Sequence, residues 1–73
     1  VKRVAVEDLQ IGDVIVGYGS SAPSLAGMRQ AVFLERKVTG VRRLISVSQK
    51  RASGEWETLS RGPMSKTSFV WVE

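Results

Sequence analysis

The chain has no cysteine and no histidine. Without cysteine there is no disulfide, no thiolate nucleophile and no zinc–thiolate site. Without histidine, the usual general base near neutral pH and the commonest metal ligand are missing as well. Small secreted domains lean on disulfides, so their absence favours a cytoplasmic setting. Long apolar runs are also lacking. No uncharged stretch approaches the ~20 residues of a membrane span. Lys2 and Arg3 are followed by Glu7, Asp8 and Asp13 rather than by an apolar core, so no signal peptide is read here.

What is present is 73 residues, 42 % of them hydrophobic, with a formal charge of +4. That length suits one small domain spanning the whole chain. Such a domain buries roughly 60 % of its unfolded surface, so it folds alone with little margin and would gain from self-assembly. Short β-branched runs separated by turn residues dominate. Strands are predicted over Val1–Val6, Asp13–Val16, Gln30–Thr39, Val41–Gln49, Trp56–Leu59 and Thr67–Val72. Glu7–Asp13 reads as a corner with Leu9 and Ile11 as apolar plugs, Asp8 capping it and Asp13 capping its turn. Val32, Leu34 and Val38 are expected on one face, as are Val41, Ile45 and Val47. Gly40 joins two strands. Lys50–Gly54 and Arg61–Met64 read as turns. The Gly/Ser stretch at 17–29, which contains Pro23, reads as a flexible loop with a brief helical turn at Leu25, Ala26 and Met28. A helix over Gly27–Lys37 also fits the apolar spacing; the strand is preferred because the next segment continues as strand across a single glycine. Five or six short antiparallel strands at this spacing predict an all-β fold, a small closed or half-closed barrel.

The positive charge is concentrated. Between Arg29 and Arg51 seven basic residues face only Glu35, whereas the rest of the chain is net acidic. A hairpin about Gly40 would gather Lys37, Arg42 and Arg43 near its tip, with Arg36 beside them and Lys50 and Arg51 at its far end. A ribbon of one sign is what a polyanion surface requires, because phosphates attract it and released counterions favour the complex. The plainer reading is a set of solvated side chains that keeps an edge hairpin from aggregating.

Aromatic side chains cluster late, at Trp56, Phe69 and Trp71. On a strand Phe69 and Trp71 share one face and Val70 and Val72 the other. Either the valines are buried and the rings form an exposed stacking or partner platform, or the rings are core and the valines face outward. The large area that rings bury in so small a domain favours the second arrangement. Tyr18 and Phe33 are expected as partly buried wall residues.

Catalytic chemistry is thinly represented. Gly17-Tyr18-Gly19 lacks both the third glycine and the Lys-Ser/Thr pair of a phosphate loop. Nothing fixes Ser20 or Ser21 beside a lysine as a nucleophile. Ser46 and Ser48 alternate with Ile45 and Val47 and suit the outer face of a strand. No catalytic residue, cofactor or metal is expected.

The segment Val4-Ala5-Val6-Glu7-Asp8-Leu9-Gln10-Ile11-Gly12-Asp13-Val14-Ile15-Val16 resembles the opening of small SH3-like β-barrels, in which a strand leads to an Asp-Leu-x-x-Gly-Asp corner and then to an apolar strand. It is also similar to short proteins of actinobacterial phages and to a segment of Hint domains. The chain lacks every histidine that a Hint domain uses, so self-splicing is not implied. The resemblance implies a barrel and phage provenance, with the host cytoplasm as the location. Two functions follow as expectations. One is a non-enzymatic module that binds DNA or RNA phosphates through Arg36, Lys37, Arg42, Arg43, Lys50 and Arg51, with stacking from Trp56, Phe69 or Trp71. The other is an interaction factor that binds a host protein or itself through the aromatic patch and exposed strand edges.

Overall fold

Alternation of β-branched and polar residues produces, among the described residues, six antiparallel strands in one sheet. The computed structural model describes residues 1–23 and 30–73. The strands are β1 (Lys2–Ala5), β2 (Val14–Gly17), β3 (Ala31–Thr39), β4 (Arg42–Lys50), β5 (Trp56–Ser65) and β6 (Phe69–Val72), in the spatial order β1-β6-β2-β3-β4-β5. The fold is all-β, as the sequence predicts. A 3-10 turn, Val6–Asp8, forms the corner after β1. Just beyond it Asp13 accepts a hydrogen bond from the Gln10 amide at 2.9 Å, the expected turn cap; no side chain caps the 3-10 turn itself. The predicted helical turn at Leu25, Ala26 and Met28, and part of the 17–29 loop, lie outside the described residues.

The ladder does not close. Among the described residues β1 pairs only with β6, and β5 only with β4. The sheet nevertheless curls: Arg61 of β5 lies 4.1 Å from the ring of Tyr18, just after β2, although β3 and β4 separate the two strands in the sheet. Its concave face holds one core: Val6, Leu9, Ile15, Ala31, Phe33, Ile45, Val47, Val70 and Val72. No helix among the described residues is long and apolar enough to cross a membrane.

Several local expectations are corrected. Ile11 is not a plug but is 81 % exposed, and Leu9 fills the corner together with Val6. Phe33 is fully buried rather than a wall residue. In β3 an irregularity between Phe33 and Glu35 shifts the pairing with β4 by one residue. Ala31 and Phe33 therefore point inward before the shift and Arg36 after it, so Val32, Leu34 and Val38 are not a core face. Val41 sits exposed in the turn after Gly40, while Ile45 and Val47 are buried as expected. β5 is the largest departure. Arg61-Gly62-Pro63-Met64 does not end a short strand; it is a bulge within a ten-residue one, where two residues face Leu44 between the pairs Arg43↔Met64 and Ile45↔Arg61. Gly62 takes a φ of +118° there, a conformation that glycine reaches without side-chain strain.

Candidate functional site

The six cations proposed from the sequence do not share one surface. Adjacent residues of a strand face opposite sides, so Arg36 and Lys37 part company, as do Arg42 and Arg43. Arg43 turns inward and is only 8 % exposed. Its Nε donates to Glu7 Oε1 at 2.6 Å, and its Nη1 donates to the carbonyls of Gly40 and Arg42 at 3.0 and 2.9 Å. Arg36 also turns inward. Its Nη1 donates to the Val6 and Leu9 carbonyls at 2.8 and 3.2 Å. Both guanidiniums thus tie the β3–β4 hairpin to the 3-10 corner, adding donors to carbonyls of the corner and of the hairpin turn. Arg51, at the far end, pairs with Glu57 at 2.7 Å and with Glu55 at 3.8 Å.

The Arg43 hydrogen bond holds the Glu7 carboxyl below its ordinary pKa of 4.5, against a smaller opposing effect of desolvation. A carboxylate whose pKa is depressed on folding adds stability above its unfolded pKa and loses it as pH falls through the folded value. Glu7→Gln is therefore expected to flatten the acid limb of a plot of urea midpoint against pH, below about pH 4.5. An acid limb identical to that of the wild type would show that the ion pair contributes nothing to folding.

Lys37, Arg42 and Lys50 remain. Pairing places Lys37 opposite Leu44, Arg42 between Thr39 and Ser65, and Lys50 opposite Trp56, all on the outer face of β3–β4–β5. Among the described residues none of the three makes an ion pair. Ser46, Ser48, Thr58 and Ser60 lie between them on the same face, and Glu35 is its one acidic member. Trp56 stands beside Lys50 at 59 % exposure. Lys66 joins the hairpin tip, its amide donating to the Val41 carbonyl at 3.2 Å. The sequence reading did not single it out.

The C-terminal rings take the arrangement that the area argument disfavoured. Val70 and Val72 are core, whereas Phe69 is 46 % exposed and Trp71 half-buried. The concave face is already filled by aliphatic side chains and Phe33, and the valines fit there beside Ile15. Trp71 instead lies along the surface with its Nε1–H donating to the Gly19 carbonyl at 2.8 Å. Arg3, across the β1–β6 pairing, places its guanidinium carbon 4.4 Å from the Phe69 ring centroid. Arg61, at the β5 bulge, lies 4.1 Å from the centroid of Tyr18. Burial pushes the Tyr18 phenol above its ordinary pKa of 10.0, with Arg61 pulling it partly back.

Two clefts meet at this cluster and share Tyr18, Ser68 and Phe69 as a common wall. One, of about 330 Å³, carries Arg61 and the bulge residues Gly62, Pro63 and Met64. The other, of about 440 Å³, carries Arg3, Gly19, Ser20 and Thr67. No carboxylate lines either one. Arg3, Tyr18 and Arg61 are functional candidates that the sequence did not disclose, because they meet only through pairings between distant segments. Among the described residues no three acidic side chains gather where a metal ion could sit. Comparison of the chain with protein-family models, curated proteins and solved structures gives no match.

Proposed function

We propose that the protein is a non-enzymatic nucleic-acid-binding module that contacts phosphates through the outer face of its long hairpin. The observation that carries this is the set of unpaired cations Lys37, Arg42 and Lys50 on one polar, hydroxyl-rich face, with Lys66 at its tip and Trp56 exposed at its end. Hydroxyls and cations on a shallow surface suit backbone contacts, which position a nucleic acid without reading its bases. The reading replaces the six-residue site expected from sequence: Arg36, Arg43 and Arg51 hold the fold and its turn. We extend the proposal to architecture, taking the curled sheet as an SH3-like half-barrel of the phage type. The packing of Arg61 of β5 over Tyr18, beyond β2 on the far side of β3 and β4, supports that reading.

Binding is measured by fluorescence anisotropy with a labelled duplex over a range of salt. If four phosphates are neutralised, log K should fall against log salt with a slope of about −3.6. Removing three cations in the variant Lys37→Ser, Arg42→Ser, Lys50→Ser should make that slope shallower by about 2.7. No binding at low salt, or a triple variant indistinguishable from wild type, would reject the proposal.

A protein-interaction role is the competing proposal, favoured by the exposure of Phe69 beside Trp71. It predicts a partner retained from lysate after nuclease treatment, and lost on Trp71→Ala but not on charge reversal at Arg42.

A further inference from the structure

The hairpin face accounts for neither of the two clefts. Each is large enough for a small ligand group, within the span typical of ligand pockets. Each presents an aromatic wall and one arginine with no carboxylate partner among the described residues. A guanidinium laid on a ring is held in place by its attraction to the π-face, yet its N–H edges remain free to donate. Two such groups, on Phe69 and Tyr18, flank one shared wall. The clefts also adjoin the cationic hairpin tip. Lys66 is tied to Val41 there, and the next residue, Thr67, lines the Arg3 cleft.

We propose that the twin clefts hold two unpaired nucleotides of a single strand, each base replacing a guanidinium on the face of Tyr18 or Phe69 while the displaced Arg3 and Arg61 turn to the phosphates. This rests on the nucleic-acid reading and narrows it to single-stranded DNA or RNA. A duplex keeps its base faces inside the stack, so it can meet the hairpin cations but cannot fill either cleft. A free phosphate would use the arginines and leave the rings idle. Only an unstacked nucleotide matches both, because every base offers a face to an aromatic side chain and every linkage offers a charge. The absence of acidic residues from both linings gives the complementarity that an acidic strand needs.

The test compares a short labelled oligothymidylate with a duplex of equal length by anisotropy at low salt. The single strand should bind about tenfold more tightly than the duplex. Phe69→Leu, which keeps bulk but loses the π-face, should erase that preference, as should Arg3→Ser with Arg61→Ser, two substitutions outside the core. Duplex binding should stay within about twofold of wild type in both variants. Phe69→Trp should retain the preference. If both variants hold the single strand as wild type does while the Lys37, Arg42 and Lys50 triple variant loses it, the clefts are idle and the hairpin proposal alone stands. Displacement of the strand by polyglutamate as readily as by oligothymidylate would show a plain cationic surface and overturn the stacking site. Failure to bind either nucleic acid would overturn both proposals together.

Discussion

Arg43→Ala is expected to lower the unfolding free energy by about 2–4 kcal/mol. The Arg43 stem is buried, and its head satisfies two backbone carbonyls while reaching Glu7. Alanine would remove the donor to the Gly40 carbonyl and the shorter of two side-chain donors to the Arg42 carbonyl, leave Glu7 without its partner and open a gap where the stem had packed. For a chain of 73 residues the whole stability is on the order of 4–11 kcal/mol. The loss should therefore lower Tm by roughly 10–25 °C. Arg42→Ala, one residue away on the outer face, should stay within about 0.5 kcal/mol of wild type. Arg43→Lys should rescue little, since an ammonium cannot span Glu7 and two carbonyls as a planar fork does. Equal melting temperatures for Arg42→Ala and Arg43→Ala would refute the division of labour between the two arginines.

Gly62→Ala is expected to be comparably severe, at about 2–4 kcal/mol. A Cβ at this position would lie 2.8 Å from the Arg43 carbonyl oxygen and 3.2 Å from the Met64 amide nitrogen. Both are backbone atoms held by the β4–β5 ladder, so neither can swing aside. The positive φ adds strain of its own. Gly40 provides the control. Its φ is +61°, yet nothing lies within 4 Å of a Cβ built there. Gly40→Ala should therefore cost only about 1 kcal/mol, from backbone conformation alone. Chemical denaturation midpoints measure both, and a Gly62 variant as mild as the Gly40 one would mean that the bulge relaxes freely.

The strands were legible because their pattern is local. β3 and β4 lie within one residue of their expected limits, and the hairpin turns at Gly40 as its spacing indicates. What misled was counting charge along the chain rather than across the sheet. Arg36-Lys37 and Arg42-Arg43 look like two cationic pairs, but pleating sends one member of each toward the 3-10 corner. In β3 the inward member depends on the shift after Phe33, which no composition rule signals, whereas in β4 plain alternation already puts Arg43 on the face of Ile45 and Val47. The β5 bulge hid in the same way: Gly-Pro is a sound turn signal, yet here it bends a strand without ending it. The Arg3–Phe69 and Arg61–Tyr18 contacts need β1 beside β6 and β5 curled toward β6. Those are long-range outcomes of filling the core with valines rather than rings.

The offset in β3 also bears on how this chain can change length over generations. Phe33 faces Val47 and Glu35 faces Ser46, so Leu34 is a residue more than the opposing strand requires. A lineage that lost the Leu34 codon would keep Phe33 and Arg36 on the concave side. Loss of the Glu35 codon would do the same, whereas loss of a single codon elsewhere in β3 or β4 would invert every side chain out to the strand's end. Odd-length deletions should therefore be inherited at the register shifts of β2, β3 and β5, and elsewhere in the strands only in pairs.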